Sequence, residues 1–115
     1  MRLDGTAMPD FWVWAATAVV CAPVAEEIAF RGYLFTALRS VLPRAAAHGI
    51  TATLFGLVHG IGHALPIAVL SLLFGYLRDR YRSLLPSMLA HAAHNAITIA
   101  LVVTWPGLLD LFYDR

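Results

Sequence analysis

Apolar residues fill long stretches of this chain, and the polar residues are gathered in the short junctions between them. Apolar stretches of this length, without a strand-like alternation of polar positions, are typical of helices that lie in a membrane. The pattern predicts four helices, with approximate bounds of 11–39, 43–60, 65–81 and 84–105.

Prolines and glycines mark irregular points in these helices. Pro23 lacks an amide hydrogen, so we expect a kink in the first helix. Pro43 suits a first helical turn, whereas Gly60 and Gly62 weaken the helix where the second one fades. The third helix is short for a crossing, which predicts a tilted or partly re-entrant segment.

The composition agrees with a membrane protein. Hydrophobic residues make up 60% of the chain and charged residues 13%, against about 25% charged residues in a soluble domain. Residues 45–77 and 83–109 contain no Asp, Glu, Lys or Arg. We therefore expect an all-α, polytopic transmembrane helix bundle of about four helices, with residues 1–115 forming a single domain and residues 1–10 a flexible N-terminal segment.

Charge and cysteine content narrow the function classes. The net charge is +1 and there is no basic cluster, so we expect no binding to nucleic acid. Cys21 is alone, which excludes an internal disulfide. Arginines concentrate at Arg39–Arg44 and Arg78–Arg82, whereas the termini are mainly acidic. The positive-inside rule then predicts that both arginine-rich connections are cytoplasmic and both termini face away.

The most informative polar feature is a pair of glutamates inside the first apolar segment. Glu26 and Glu27 follow fifteen residues, 11–25, that carry no charge. Ionisable residues at membrane depth are costly and by default indicate a functional site. Arg31 lies four residues after Glu27, the favourable order for an ion pair on one helix face. This pairing would leave Glu26 available for chemistry.

Two further pairs at helical spacing lie in the later helices. Phe55 and His59 share one face, and so do His91 and Asn95. A lone histidine in an apolar helix is more often a hydrogen-bonded packing residue, and we interpret three others in that way: His48, His63 and His94.

These residue types suit amide hydrolysis. A carboxylate removed from water binds protons more readily and can serve as a general base near neutral pH, and a histidine beside it can help to activate a water molecule. Glu26 and His59 would form this half of the site. His91 and Asn95 could donate hydrogen bonds to a developing oxyanion, and Glu27 with Arg31 would orient the first half.

The same residues form three ordered motifs that resemble a known family. Residues 26–32 match EExxxR followed by glycine, residues 55–59 match FxxxH, and residues 91–95 match HxxxN. Together with the segment 75–86, they are similar to the CAAX prenyl protease and bacteriocin-processing family of intramembrane glutamate proteases, also called the ABI domain. The resemblance covers roughly residues 23–99.

The resemblance implies a minimal core of the CAAX-protease-like fold, since members of the family usually have further helices before EExxxR. It implies an intramembrane endopeptidase with Glu26 and His59 activating water, His91 and Asn95 forming the oxyanion hole, and Glu27, Arg31 and Phe55 in support. We expect no cofactor and no metal, a peptide or protein substrate, contact with the lipid bilayer and a homo-oligomer that completes the bundle. The expected location is a prokaryotic plasma membrane.

Two alternatives stay open at this point. A zinc-dependent intramembrane protease could use Glu26, His59 and His91 as ligands around an open position, although the HExxH pattern is absent because Gly60 follows His59. A non-catalytic membrane protein that gives bacteriocin self-immunity or acts as a scaffold would suit the short chain, but binding alone would not require the full set of polar motifs.

Overall fold

A computed structural model describes the backbone of residues 8–113 and the side chains of residues 10–111. Over that range the regular secondary structure is helical throughout, which confirms the predicted all-α class. Of the N-terminal segment predicted to be flexible, residues 1–7 lie outside the described residues, and residues 8–10 belong to the first turn of a helix.

The helical elements follow one another with short connections. Two π-helical turns lie between α-helices of the first long segment, and 3₁₀ turns precede α5 and follow α6. The α-helices are α1 (Met8–Ala16), α2 (Ala22–Glu27), α3 (Phe35–Arg39), α4 (Arg44–Val58), α5 (Ala64–Tyr81), α6 (Leu85–Thr104) and α7 (Asp110–Tyr113); the π turns are Thr17–Cys21 and Ile28–Leu34, and the 3₁₀ turns are Ile61–His63 and Pro106–Leu108.

Among the residues that the structure describes, three helical segments are long and apolar enough to cross a membrane: Asp10–Arg39, Ile61–Tyr81 and Leu85–Thr104. These segments coincide closely with three of the helices predicted from the sequence. The remaining predicted helix, α4, has 15 residues and a length of about 22 Å, short of a hydrocarbon core of roughly 30 Å. The predicted helical bundle of about four helices is therefore confirmed over the described residues. The helix predicted to be short for a crossing, at residues 65–81, lies in a candidate span of 21 residues, and α4 is the shorter helix.

The irregularity expected at Pro23 takes the form of a π turn just before it. The Ala22 N–H donates to the Thr17 carbonyl, five residues earlier, whereas an α-helix bonds four residues back. A proline normally clashes with the carbonyl of the preceding turn. The wider π turn gives Pro23 room inside a continuous helix, where its side chain is buried.

The described residues form two compact units. The first contains the described residues up to Pro23 and those from His91 onward, and the second is Val24–Ala90. Both boundaries fall inside long helices.

The core of the second unit lies where α4 packs against α5. A Cβ atom at Gly56 would clash with the Ala64 carbonyl oxygen, and one at Gly75 would lie 2.6 Å from His48 Nδ1. Two glycines therefore permit the close approach of these helices. The turn between them begins at Gly60, whose φ of 100° favours glycine, and the aromatic core consists of Phe35, Phe55 and Phe74.

Candidate active site

Glu26 and Glu27 are the last two residues of α2, and their side chains lie in different surroundings. Glu27 is fully buried, and the Arg31 Nη1 group donates to its Oε1 atom at 3.1 Å. The ion pair predicted from the four-residue spacing is therefore confirmed. The Glu26 side chain is 32% exposed, so the two carboxylates are separated into an inner and an outer position.

Arg31 also connects the first long helix to α5. Its Nη2 group donates to the Ser71 carbonyl oxygen at 3.0 Å and also to the Ser71 hydroxyl. Its guanidinium lies over the Phe55 ring at 4.4 Å and over the Phe74 ring at 5.3 Å. Charge-assisted hydrogen bonds and cation–π contacts are strong when water is excluded, so Arg31 fixes three helical segments of this unit together.

Ser71 and Phe74 are partners of this arginine that the sequence motifs do not include. Ser71 lies in α5, forty residues after Arg31 in the sequence. Its hydroxyl and carbonyl face Arg31 because α5 packs closely against α4, a relation that the local sequence does not contain. A buried serine among apolar residues was the available signal, since such a hydroxyl generally has a hydrogen-bond partner.

Phe55 lies between the arginine and the histidine of the predicted site. Its side chain is buried, and its ring meets the Phe30 ring edge-on with centroids 5.0 Å apart. The His59 ring lies 4.6 Å from it, at an angle of 49°. Phe55 thus restricts the orientation of the imidazole as well as packing against Arg31.

His59 follows the last residue of α4, and its two ring nitrogens have different surroundings. Nδ1 lies 2.6 Å from the Phe55 carbonyl oxygen. Because a carbonyl only accepts, Nδ1 carries the hydrogen, and Nε2 of the neutral ring is an acceptor. Nε2 lies 3.8 Å from Glu26 Oε2, with both side chains about one-third exposed. This separation exceeds a direct hydrogen bond and allows one water molecule to contact both atoms.

His91 and Asn95 belong to the first unit. The Asn95 Nδ2 group donates to the Ala18 carbonyl oxygen at 2.8 Å, and the His91 side chain is buried. The structure thus brings Glu26, His59, Phe55, Glu27 and Arg31 together in the second unit. The proximity of His91 and Asn95 to that group stays a prediction from the sequence.

The histidines assigned to packing differ in their surroundings. His48 stacks on Phe35 with centroids 4.4 Å apart and lies 2.5 Å from the Asp79 carboxylate, whereas His63 and His94 are exposed.

Over residues 10–111, no three His, Cys, Asp or Glu side chains are grouped so as to hold a metal ion. The expectation of a metal-free reaction itself stays a prediction.

Long apolar helices and a carboxylate–imidazole pair supported by a buried ion pair define a class: integral membrane proteins with a polar site carried on their helices. The model of one family, the type II CAAX prenyl endopeptidase Rce1-like proteins, matches residues 8–97, most of the chain. The protein therefore belongs to this protease family, as the three motifs indicated. No curated protein and no solved structure matches the chain.

Membership of a protease family implies a peptide or protein substrate. The matched range includes every residue predicted for the site, from Glu26 to Asn95. It also includes two of the three segments long enough to span a membrane, and most of the third.

Proposed function

We propose that the protein is an intramembrane endopeptidase in which Glu26 and His59 activate a water molecule for attack on a peptide bond. The observation that carries this proposal is the placement of His59 Nε2 3.8 Å from Glu26 Oε2, with His59 Nδ1 bonded to the Phe55 carbonyl. The ring is held so that its acceptor nitrogen faces the carboxylate, and one water molecule beside the pair can contact both atoms.

Glu26 is the general base in this scheme. It takes one proton from the water, the oxygen attacks the scissile carbonyl carbon, and a tetrahedral intermediate forms. The proton then passes to the amide nitrogen as the C–N bond breaks, which regenerates the carboxylate. His59 accepts a hydrogen bond from the same water and aligns it. Glu27 is less suited to this role, because it is fully buried and paired with Arg31.

His91 and Asn95 keep the role predicted for them, as donors to the oxyanion of the tetrahedral intermediate. An amide nitrogen has two hydrogens, and the Ala18 carbonyl takes one hydrogen bond from Asn95 Nδ2. That bond restrains the Asn95 side chain while a second hydrogen is left for another acceptor. Restraint of this kind is what a preorganised donor requires.

The test is cleavage of a fluorescence-quenched, prenylated CAAX peptide by the purified protein in detergent. Glu26→Gln keeps the size of the side chain but removes the base, so kcat/KM should fall by roughly 100- to 10,000-fold. Asp110→Asn is the matched control, because Asp110 is an exposed carboxylate that follows the last of these motifs by fifteen residues in the sequence. His59→Gln should also lower the rate, whereas exposed His63→Gln should not.

Chelation separates this mechanism from the zinc alternative. Cleavage that survives phenanthroline but is lost in Glu26→Gln supports the glutamate mechanism. Stoichiometric zinc, with activity lost on its removal and regained on its return, would replace that mechanism by the metal-dependent one. Cleavage that is unaffected by Glu26→Gln in a folded protein would remove Glu26 from the reaction.

A further inference from the structure

A second polar site lies in the Val24–Ala90 unit, where α4 begins and α5 ends. It is a cavity of about 560 Å³. Its lining is polar and rich in arginine, in contrast to the apolar helices around it. The lining residues are Arg44, Arg78, Asp79, Arg82, Ser83 and Leu84.

Asp79 organises one wall of this cavity. Its Oδ2 atom lies 3.1 Å from Arg44 Nη1 and 2.5 Å from His48 Nε2, and its Oδ1 atom lies 3.4 Å from Arg78 Nη1. The Arg78 guanidinium also lies 5.0 Å from the centre of the Phe35 ring. One carboxylate thus restrains two arginines at the cavity without neutralising both.

The cavity therefore carries a surplus of positive charge. Three arginines against one aspartate leave a formal charge of +2 on the lining. The Arg82 side chain is exposed and makes no ion pair with any residue in the described range 10–111. The Arg44 side chain is 62% exposed despite its contact with Asp79, so both can reach a ligand.

The backbone adds to this preference for an anion. Arg44 is the first residue of α4, and Ser83 and Leu84 immediately precede α6. Two helix N-termini, with their positive dipole ends, therefore adjoin the cavity. Arg82 itself has a φ of 52°, where glycine or asparagine is usual after a helix.

The position along the chain indicates the source of the anion. The cavity adjoins the end of one candidate membrane span at Tyr81 and the start of another at Leu85. Lipid headgroups lie at this level, and basic pockets among helix ends bind their phosphates. Arg44 and His59 are fifteen positions apart along α4, or about 22 Å. If the cavity held the terminus of a substrate, roughly seven extended residues would be needed to reach the Glu26–His59 pair. The distance therefore favours a lipid headgroup over a substrate terminus as the source of the anion.

We propose that this cavity binds the phosphate group of an anionic phospholipid, with Arg44 and Arg82 as the principal ligands and Asp79 as the residue that positions Arg44 and Arg78. The site is separate from the Glu26–His59 pair. A bound lipid here would hold the ends of α4, α5 and α6 at the membrane surface.

The test measures lipid binding to the purified full chain in detergent by native mass spectrometry. Dioctanoyl phosphatidylglycerol is compared with dioctanoyl phosphatidylcholine, which has the same phosphate and chains but no net charge. We expect phosphatidylglycerol to bind more tightly, and its affinity to fall on the order of tenfold or more in Arg44→Gln/Arg82→Gln. Arg80→Gln is the matched control, because Arg80 is exposed on the same turn but does not line the cavity.

Two further measurements keep the outcome clear if the double variant folds poorly. Arg44→Lys/Arg82→Lys retains the charges and should recover much of the affinity, and phosphatidylglycerol binding to the unaltered chain should weaken at high ionic strength. Binding that is indifferent to salt, or equal in the glutamine and control variants, would overturn the proposal. Inorganic phosphate binding as tightly as the lipid, with the same arginine dependence, would reassign the cavity to free phosphate.

Discussion

At the scale of single residues, the candidate active site depends on the contacts of one buried arginine, Arg31. Arg31 contacts Glu27, Ser71, Phe55 and Phe74 while its side chain is almost completely buried. Removing one member of a buried ion pair leaves the other charge desolvated, which costs more than the pair itself contributes. Arg31 therefore makes the surroundings of Glu27 and His59 dependent on a single guanidinium.

This dependence predicts a non-additive pair of substitutions. Arg31→Met leaves the buried Glu27 carboxylate without its cation, and should lower the free energy of unfolding by about 3–5 kcal/mol. The double variant Glu27→Gln/Arg31→Met removes both charges and should be more stable than Arg31→Met alone. Thermal unfolding of these two variants and of Glu27→Gln alone, followed by circular dichroism in detergent, completes the cycle and measures the coupling. Additive losses would show that the two side chains are not energetically coupled.

The sequence predicted these contacts only in part. Glu27–Arg31 could be predicted because both residues lie on one helix, at a spacing whose geometry is known. The chemistry of amide hydrolysis suggested that His59 lies beside Glu26, and in the structure His59 Nε2 is 3.8 Å from Glu26 Oε2. The contacts of Arg31 with Ser71 and Phe74 could not be predicted, because they depend on the packing of separate helices. The same holds for the contacts of Asp79 with Arg44 and His48.

At the scale of elements, the close packing of α4 and α5 brings Phe55 and His59 to the first helix. Gly56 lies one residue after Phe55, and its missing side chain permits the approach of Ala64 and Ala68. The sequence pattern placed the ends of α4 and α5 within a few residues. It did not reveal the π turns, since a turn with one additional residue differs little in composition from an α-helix.

Two glycines of α4 provide a matched comparison. At Gly56 a Cβ atom would clash with the Ala64 backbone, so Gly56→Ala should destabilise the fold by about 1–3 kcal/mol and lower the cleavage rate by displacing His59. At Gly49 no atom lies within 4 Å of the added carbon, so Gly49→Ala should be neutral or stabilising by up to about 1 kcal/mol. Unfolding of both variants in detergent is the measurement, and equal stabilities would contradict close packing at Gly56.

At the scale of the whole molecule, the protein is an integral membrane protein, and the part of the chain that the structure describes contains three helices long and apolar enough to cross a bilayer. The arginine-rich connections at residues 39–44 and 78–82 meet in the structure, since Arg44 and Asp79 are 3.1 Å apart. Local sequence patterns could predict the helices and their location in a membrane. They could not predict that α4, with 15 residues, is too short for a full crossing. The prokaryotic plasma membrane and the homo-oligomer stay predictions.

The meeting of these connections predicts a labelling result. Single cysteines at Ser40 and Ser83, introduced in a Cys21→Ala background, should react with a membrane-impermeant maleimide from the same side. The positive-inside rule predicts that this is the cytoplasmic side. Oriented vesicles, intact and then permeabilised, give the comparison. Labelling of the two positions from opposite sides would contradict both the ion pair and the predicted orientation.

The π turn at Ile28–Leu34 has a consequence for how the family's sequences diverge. Its backbone bonds reach five residues back, as from Phe35 to Phe30, so the turn contains one residue more than an α-helix would use. A related chain could lose one residue here and continue as an ordinary helix. A single-residue gap after Arg31, at residues 32–34, leaves the Glu27–Arg31 spacing unchanged and is therefore compatible with an intact site. Sequence comparisons should not treat such a gap as the loss of the site.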